Sequence, residues 1–283
     1  MAPAESPPSP GKAAGWADLR QRFLTALVVG PPILLALYVG TWPFAAVMIV
    51  CGSIVFFEWD RMTRQGPADA ALWLGMATIA AAGIVAALLL PWSAFLALAA
   101  GCLVMAGVRF GIRSIGWMAG GLVYGGLPAI GLVVLRQIPE AGILAVGWAL
   151  TTVWASDIGA YAAGRAIGGA KLIPAISPNK TWSGAIGGIV AAIAWSLGYY
   201  AVFGFTWIAG PILTSIIASV TGQGGDLFES WLKRRFGVKD SGTLFPGHGG
   251  IMDRADAVIL STAVICVLNV AGVIFVAVGG AQP

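Results

Sequence analysis

Long apolar runs, separated by shorter polar stretches, cover most of the chain. Nine of these runs approach the roughly 20 residues that an α-helix needs to cross the hydrocarbon core of a bilayer. They predict transmembrane helices at residues 23–41, 43–58, 71–90, 91–108, 115–135, 141–163, 184–203, 206–222 and 256–278. Residues 1–22 are rich in Pro, Ala and Ser and contain no apolar run, which predicts a disordered cytoplasmic arm. The pattern therefore predicts an all-α, polytopic integral membrane protein.

The composition agrees with this fold class. Of the 283 residues, 58% are hydrophobic and 10% are charged, with a mean hydropathy of +0.87. A soluble domain carries roughly 25% charged residues, so this chain has too few to cover a water-soluble surface. A soluble enzyme and a disordered chain are both excluded. The three cysteines lie inside apolar runs, far apart, which is typical of small buried hydrophobic residues.

The charges predict an orientation. With nine spans and a cytoplasmic N-terminus, all 16 Lys and Arg residues except Arg136 lie on the cytoplasmic side, as the positive-inside rule requires. This bias explains the net charge of +4, so we expect no nucleic-acid binding. The acidic residues, except Glu140, lie on the same side. No organelle address is present, which indicates the bacterial plasma (inner) membrane, with a cytoplasmic-face active site.

The chain divides into three parts. The arm at 1–22 is followed by N-terminal transmembrane helices at 23–140 and by a C-terminal region at 141–283. The C-terminal region holds both long polar segments. Glycines four residues apart indicate either close helix packing within the chain or a homodimer through small-residue helix faces; these pairs are Gly116 with Gly120, Gly121 with Gly125, and Gly184 with Gly188.

Carboxylates gather near the predicted cytoplasmic ends of the last two spans. If the segment is helical, Asp226, Glu229 and Lys233 share one face. Asp253 and Asp256 stand three residues apart at the entrance of the last span, where they repel each other unless a cation or a basic partner lies between them. With Asp226 they indicate a Mg²⁺ site, because Mg²⁺ takes oxygen ligands and shares them with phosphates. An alternative is that Asp253 caps the last helix.

Two further groups contain polar residues beside spans. Asp157 lies inside the sixth span, and Asp157, Tyr161 and Arg165 follow a four-residue stride and face one way. They form either a functional site or a structural network of Asp157 with Arg165. Lys180 lies among hydroxyl residues just before the seventh span, where a helix N-terminus can bind phosphate. His248, the only histidine, is flanked by glycines that let a ligand approach the backbone.

Carboxylates for a divalent ion and basic residues for phosphates favour phosphoryl or nucleotidyl transfer at the inner headgroup layer. An ion-coupled transporter of an anionic substrate, with Asp157 as the ion site, is the alternative from another class. The absence of an internal repeat argues against it. An inactive membrane scaffold is the third alternative.

The run from Ser230 to Asp256 resembles the signature of the phosphatidate cytidylyltransferases, also called CDP-diacylglycerol synthases. The matching residues are Ser230, Lys233-Arg234, Lys239-Asp240, Gly242, Pro246, His248-Gly249-Gly250, Asp253-Arg254 and Asp256. Similar motifs precede it in the family's order, at Asp157/Tyr161/Gly164, Ser177–Thr181 and Gly225–Leu227. The resemblance is close over about residues 150–260. Ser183 departs from it, because Glu is common at that position.

The resemblance implies that region 141–283 is catalytic and that CTP and phosphatidate give CDP-diacylglycerol and pyrophosphate for phospholipid biosynthesis, with Mg²⁺ as cofactor. The lipid phosphate attacks the CTP α-phosphorus directly. The implied metal ligands are Asp226 and Asp253, with Asp256 as a ligand or orienting residue, and His248 and Lys233 complete the catalytic set. The implied substrate-binding residues are Asp157, Tyr161, Ser177, Lys180, Thr181, Arg234, Lys239 and Arg254. A sibling CTP-dependent enzyme acting on another lipid is the near alternative.

Overall fold

A computed structural model describes residues 30–64, 69–108, 112–204, 209–242 and 249–271. The predicted arm and His248 lie outside these ranges. Within them the chain forms nine α-helices and one pair of strands. In chain order these are α1 (Gly30–Val39), α2 (Thr41–Arg64), α3 (Ala70–Ala87), α4 (Pro91–Val108), α5 (Ile112–Arg136), α6 (Gly142–Ala166), β1 (Lys171–Ile173), β2 (Ser177–Thr181), α7 (Trp182–Val202), α8 (Ala209–Arg235) and α9 (Met252–Val270).

Over the described residues each predicted apolar run corresponds to one of these helices, so the all-α membrane architecture is confirmed; residues 23–29, 206–208 and 272–278 of the predicted runs lie outside them. Five helices, α2, α3, α5, α6 and α7, are long and apolar enough to cross a membrane over their described residues. Helices α1 and α4 are shorter apolar helices. The total of nine spans stays a prediction.

The two long polar segments of the C-terminal region are not simple loops, because they contain two strands and the end of a helix. Strands β1 and β2 form an antiparallel hairpin, with Lys171 opposite Thr181 and Ile173 opposite Ser177. Helix α8 continues through 223–235, because residues such as Leu232 on this extension are buried against neighbouring helices. The polar layer is therefore built from a hairpin, a helix end and the loop before α9.

Small residues let the helices approach closely within the chain. A Cβ at Gly125 would lie 2.6 Å from the carbonyl oxygen of Gly52, where α5 crosses α2. A Cβ at Gly184 would lie 2.9 Å from the carbonyl oxygen of Ala160, where α7 crosses α6. Gly188 is equally confined. The prediction of close packing within the chain is confirmed at these positions. Of the three cysteines, which were predicted to be buried, Cys266 is buried and Cys51 and Cys102 are partly buried.

An aromatic cluster joins α2, α5 and α8 below the polar layer. The Trp59 ring lies 5.1 Å from the Tyr124 ring and 6.0 Å from the Phe228 ring, between centroids. Its indole Nε1 donates a 2.7 Å hydrogen bond to the backbone carbonyl of Trp117. Trp59 is almost completely buried, so this cluster fixes the rotation of α2 about its own axis.

Candidate active site

Asp253, in the first turn of α9, is the most heavily hydrogen-bonded carboxylate of the polar layer. Its Oδ1 lies 2.7 Å from the ammonium of Lys233. Its Oδ2 accepts hydrogen bonds of 2.8 Å from the amide of Ser241, from the hydroxyl of Ser241 and from the amide of Gly250. The alternative that Asp253 caps this helix is wrong, because among the described residues it accepts no hydrogen bond from an amide of α9 and the N-cap position is Ile251. Its bonds instead hold the loop before α9 and Lys233.

The local backbone is shaped around this carboxylate. Gly249 has a φ of +77°, and a Cβ on it would overlap Asp253 Oδ2. Burial alone would raise the pKa of Asp253, but hydrogen bonds from Gly250, Lys233 and neighbouring side chains outweigh burial and lower this pKa to about 2. Asp253 is therefore a permanent anion at neutral pH.

Lys233 links two acidic residues. Besides Asp253, its Nζ lies 3.3 Å from Glu229 Oε2, one helical turn earlier in α8. Burial and then the nearby charge of Asp256 raise the pKa of Glu229. The predicted face of Glu229 and Lys233 is confirmed, whereas the third member, Asp226, pairs with a residue of another element.

That residue is Lys180, on β2, whose Nζ lies 2.5 Å from Asp226 Oδ2. The hairpin carries Lys180 over α8, and its turn is fixed by a 2.5 Å hydrogen bond from Arg234 Nε to the carbonyl of Ile176. At the end of β2, Thr181 Oγ1 caps α7 by accepting a 3.1 Å hydrogen bond from the Gly184 amide. Two predicted substrate-binding residues, Arg234 and Thr181, therefore also support the hairpin and α7.

Ser183, where the sequence departs from the resemblance described above, is part of the same support. Its hydroxyl donates a 2.5 Å hydrogen bond to the carbonyl of Gly168 and lies 3.0 Å from Thr181 Oγ1. A hydroxyl at this position joins the loop before β1 to the start of α7.

The remaining predicted residues occupy the periphery. Arg165 donates a 2.9 Å hydrogen bond to the exposed hydroxyl of Tyr161, which confirms their common helix face. Ser177 begins β2, and Lys239 is exposed on the loop after α8. Arg254 follows Asp253 in α9 and lines an apolar cavity.

Asp157, Asp226 and Asp256 come close enough to act on one another electrostatically. The charge of Asp226 acts on both Asp157 and Asp256. Over the described ranges, no group of three or more Asp, Glu, His or Cys side chains has the arrangement of a metal site. The predicted ligand set of Asp226, Asp253 and Asp256 stays a prediction, since both oxygens of Asp253 already have partners.

Glu58 is a site neighbour that sequence reasoning missed. It lies on α2, is 3% exposed, and accepts hydrogen bonds from the amides of Ile251 at 3.0 Å and Met252 at 2.8 Å. It belongs to the first 140 residues, where the sequence offered only hydropathy. The available signal was a carboxylate at the end of an otherwise apolar run, which is costly in a membrane unless it has partners.

An apolar cavity of about 400 Å³ opens beside the polar layer, between α2, α5, α6 and α9. Its wall includes Met48, Leu132 and Trp154. Among the described residues that line it, Arg254 is the only charged one, and it lies near Ile251 at the start of α9. The cavity therefore joins apolar space to the end of the polar cluster.

Comparison with known proteins identifies the family. A cytidylyltransferase family model matches residues 20–271. A phosphatidate cytidylyltransferase of Brucella suis biovar 1 (strain 1330) is 38% identical over 251 residues, 88% of this chain and 92% of that protein. One of Bacillus subtilis (strain 168) is 31% identical over 264 residues, 85% of this chain and 93% of that protein. One of Staphylococcus saprophyticus is 44% identical over 131 residues, 45% of this chain and 50% of that protein.

These matches extend well beyond the 150–260 stretch that carries the sequence resemblance, and they include α2 with Glu58. The helical membrane architecture, the Lys- and Asp-rich polar layer and the family match agree with one another. The chain belongs to the cytidylyltransferase family and is a membrane-embedded nucleotidyltransferase.

Proposed function

We propose that this enzyme transfers the cytidylyl group of CTP to phosphatidate, giving CDP-diacylglycerol and pyrophosphate for phospholipid biosynthesis, at the cytoplasmic face of a bacterial inner membrane. The observation that carries the proposal is the junction of a Lys–Asp cluster with an apolar cavity at the start of α9. Such a junction suits a reaction between a polar nucleotide and a lipid headgroup.

The reaction requires no nucleophile from the protein. A phosphate oxygen of phosphatidate forms the new bond to the α-phosphorus of CTP, and the bond from that phosphorus to the bridging oxygen of pyrophosphate breaks. The chain's contribution is positioning and charge neutralisation, as in other phosphoryl transfers.

Lys180 and Lys233 are the cations best suited to the phosphates. Lys180 is paired with Asp226, and Lys233 with Asp253 and Glu229, so both ammonium groups are oriented before substrate arrives. An ammonium held in place stabilises the charge that develops on departing pyrophosphate better than a mobile one does. His248 is assigned to the same leaving group, either to stabilise the charge of pyrophosphate or to donate a proton to it.

The donor set fits Mg²⁺ bound through one or two carboxylates, with substrate phosphates completing the coordination. Asp226 and Asp256 repel each other, and a cation between them would relieve that repulsion. Asp253 would join them only by exchanging Lys233 for the metal. When bound, Mg²⁺ would offset negative charge on the triphosphate.

The apolar cavity is assigned to phosphatidate. Its wall of aliphatic and aromatic side chains suits acyl chains, and Arg254 at its edge suits the lipid phosphate. Acyl chains in this cavity would bring the headgroup to the start of α9, where Asp253 and Lys233 lie.

The test gives the purified full-length protein radiolabelled CTP and phosphatidate in detergent, with and without EDTA. The expected result is a lipid-soluble cytidine product that EDTA abolishes. An Asp226→Asn variant, which loses the charge beside Lys180, should make no product. Absence of product from the wild type, or product only with another lipid such as an isoprenoid alcohol or its phosphate, would contradict the proposal. Uptake of unchanged substrate by sealed vesicles would favour the transporter alternative.

A further inference from the structure

We propose that Glu58 is a positioning residue for the reaction: from α2 it holds Ser241 and the first turn of α9, and through them the Asp253–Lys233 pair. The inference rests on the proposed function for its kinetic readout. Its structural readout is independent of that function.

The contacts of Glu58 all lead to one place. Its Oε1 accepts from the Ile251 amide at 3.0 Å, and its Oε2 accepts from the Met252 amide at 2.8 Å. Both amides lie at the start of α9. The N-cap residue is Ile251, whose apolar side chain cannot accept a hydrogen bond from them. A buried anion here is favoured by the positive end of the helix dipole. Glu58 thus performs the capping that α9 does not provide for itself.

Ser241 connects Glu58 to the Asp253–Lys233 pair. The Ser241 hydroxyl lies 3.3 Å from Glu58 Oε2 and 2.8 Å from Asp253 Oδ2. A hydroxyl has one proton to donate, so the two carboxylates on either side of it fix its orientation jointly. A displacement of Glu58 would therefore change the position of Ser241 and, through it, the positions of Asp253 and Lys233.

The glycines of the loop provide a second, independent observation. A Cβ at Gly242 would lie 2.6 Å from Glu58 Oε1, and a Cβ at Gly250 would overlap both carboxylate oxygens. Both glycines belong to the run that resembles the family signature. Their lack of a side chain makes room for a carboxylate that comes from a helix nearly two hundred positions earlier in the chain.

Helix α2 is a firm support for such a contact. Trp59, the next residue, is packed between Tyr124 and Phe228, so Glu58 cannot rotate away without disturbing that cluster. A second buried carboxylate, Asp60, lies on the same helix and pairs with Arg64 at 2.8 Å. Asp60 therefore offers a matched control for the general cost of changing a buried acid on α2.

The experiment measures Glu58→Ala, Glu58→Gln and Ser241→Ala, and the Glu58→Ala/Ser241→Ala double variant, in the full-length purified enzyme. For the folded fraction we expect kcat to fall about 100-fold in Glu58→Ala and about 10-fold in Glu58→Gln, which keeps one acceptor oxygen. We expect KM for CTP to change less than about threefold, because Glu58 does not touch the nucleotide. The double variant should be no slower than the slower single variant, since both changes break one chain of contacts.

Hydrogen exchange at the amides of Ile251 and Met252 gives the readout that needs no activity. We expect faster exchange in Glu58→Ala than in wild type, and wild-type exchange in Asp60→Asn. Asp60→Asn should lower thermal stability while the folded enzyme keeps its kcat.

The outcomes separate the two proposals. A wild-type enzyme that makes no cytidylyl lipid contradicts the proposed function, while unchanged exchange in Glu58→Ala contradicts the contact itself. Three results would each overturn the positioning role. The first is faster exchange in Glu58→Ala with an unchanged kcat. The second is a double variant whose loss of kcat is the product of the two single losses, and the third is a loss of kcat in Asp60→Asn equal to that in Glu58→Ala.

Discussion

Replacing Asp253 with Asn is a sharp test of the site, because the change keeps the shape of the side chain and removes its charge. The amide retains one acceptor oxygen. If that oxygen faces Ser241 and Gly250, the NH₂ group faces the Lys233 ammonium, and two donors meet. The opposite orientation would set the NH₂ group against the amides of Ser241 and Gly250. The first orientation costs less, and it loses the ion pair with Lys233.

Two routes give the same magnitude for this loss. A hydrogen bond between charged groups contributes about 1.5–3 kcal/mol to stability. The lowering of the Asp253 pKa from 3.8 to about 2 corresponds to about 2.5 kcal/mol, at about 1.36 kcal/mol for each pH unit. Asp253 is only 11% exposed, so solvent screening reduces this little. We expect Asp253→Asn to lower the free energy of unfolding by about 2–3 kcal/mol at neutral pH.

The sign of the pH dependence follows from the direction of the shift. Because the folded state lowers the pKa of Asp253, its contribution is fully present above the unfolded value of 3.8 and is lost as the pH falls towards about 2. Wild-type stability should therefore fall over this acid window by more than that of Asp253→Asn.

The assay is denaturant unfolding in detergent at several pH values, together with cytidylyl transfer at neutral pH. We expect the variant to fold and to have lost turnover, because Lys233 is no longer held. Ser241→Ala, which removes only the hydroxyl donor, should have a smaller effect on stability. Equal stability of Asp253→Asn and wild type from acid to neutral pH, or wild-type turnover, would refute the reasoning.

Three further predictions concern the hairpin, the loop and the cavity. Lys180→Met should lower kcat/KM for CTP at least about tenfold while changing stability by at most about 1 kcal/mol, because its ion pair is partly exposed; an unchanged kcat/KM would contradict it. Gly249→Ala should abolish transfer, whereas Gly168→Ala, with a positive φ but open space around it, should cost only about 1–3 kcal/mol of unfolding free energy and keep activity; equal behaviour of the two variants would contradict the overlap with Asp253. Trp154→Ala should raise KM for phosphatidate more than KM for CTP, and the opposite order would exclude acyl chains from the cavity.

Hydropathy is sufficient to predict the helices, because a membrane leaves the backbone few alternatives and each span must satisfy its own hydrogen bonds. The face shared by Glu229 and Lys233 followed from helical spacing alone. The hairpin did not follow, because strands of three and five residues that include Pro178 lack a clear period of two. Because the hairpin positions Lys180, the ion pair of Lys180 with Asp226 could not be predicted from the sequence either.

Contacts between distant segments could not be read from the sequence. Asp253 was predicted as a metal ligand from its type and spacing, but three of its hydrogen bonds depend on how Ser241 and Gly250 fold around it. The contact between Glu58 and Ser241 joins positions 183 residues apart, and no local pattern links them. Residue chemistry indicates what a side chain can do, whereas the tertiary fold decides which partner it meets.

The bond from Met252 to Glu58 also has a consequence for biogenesis. Its partners are separated by 194 positions, and the donor belongs to α9. During synthesis α2 is made well before α9, so its buried acid has no partner on α9 until Met252 has also been made. A nascent chain that stops before α9 therefore lacks the contacts that join α2 to the Asp253–Lys233 pair.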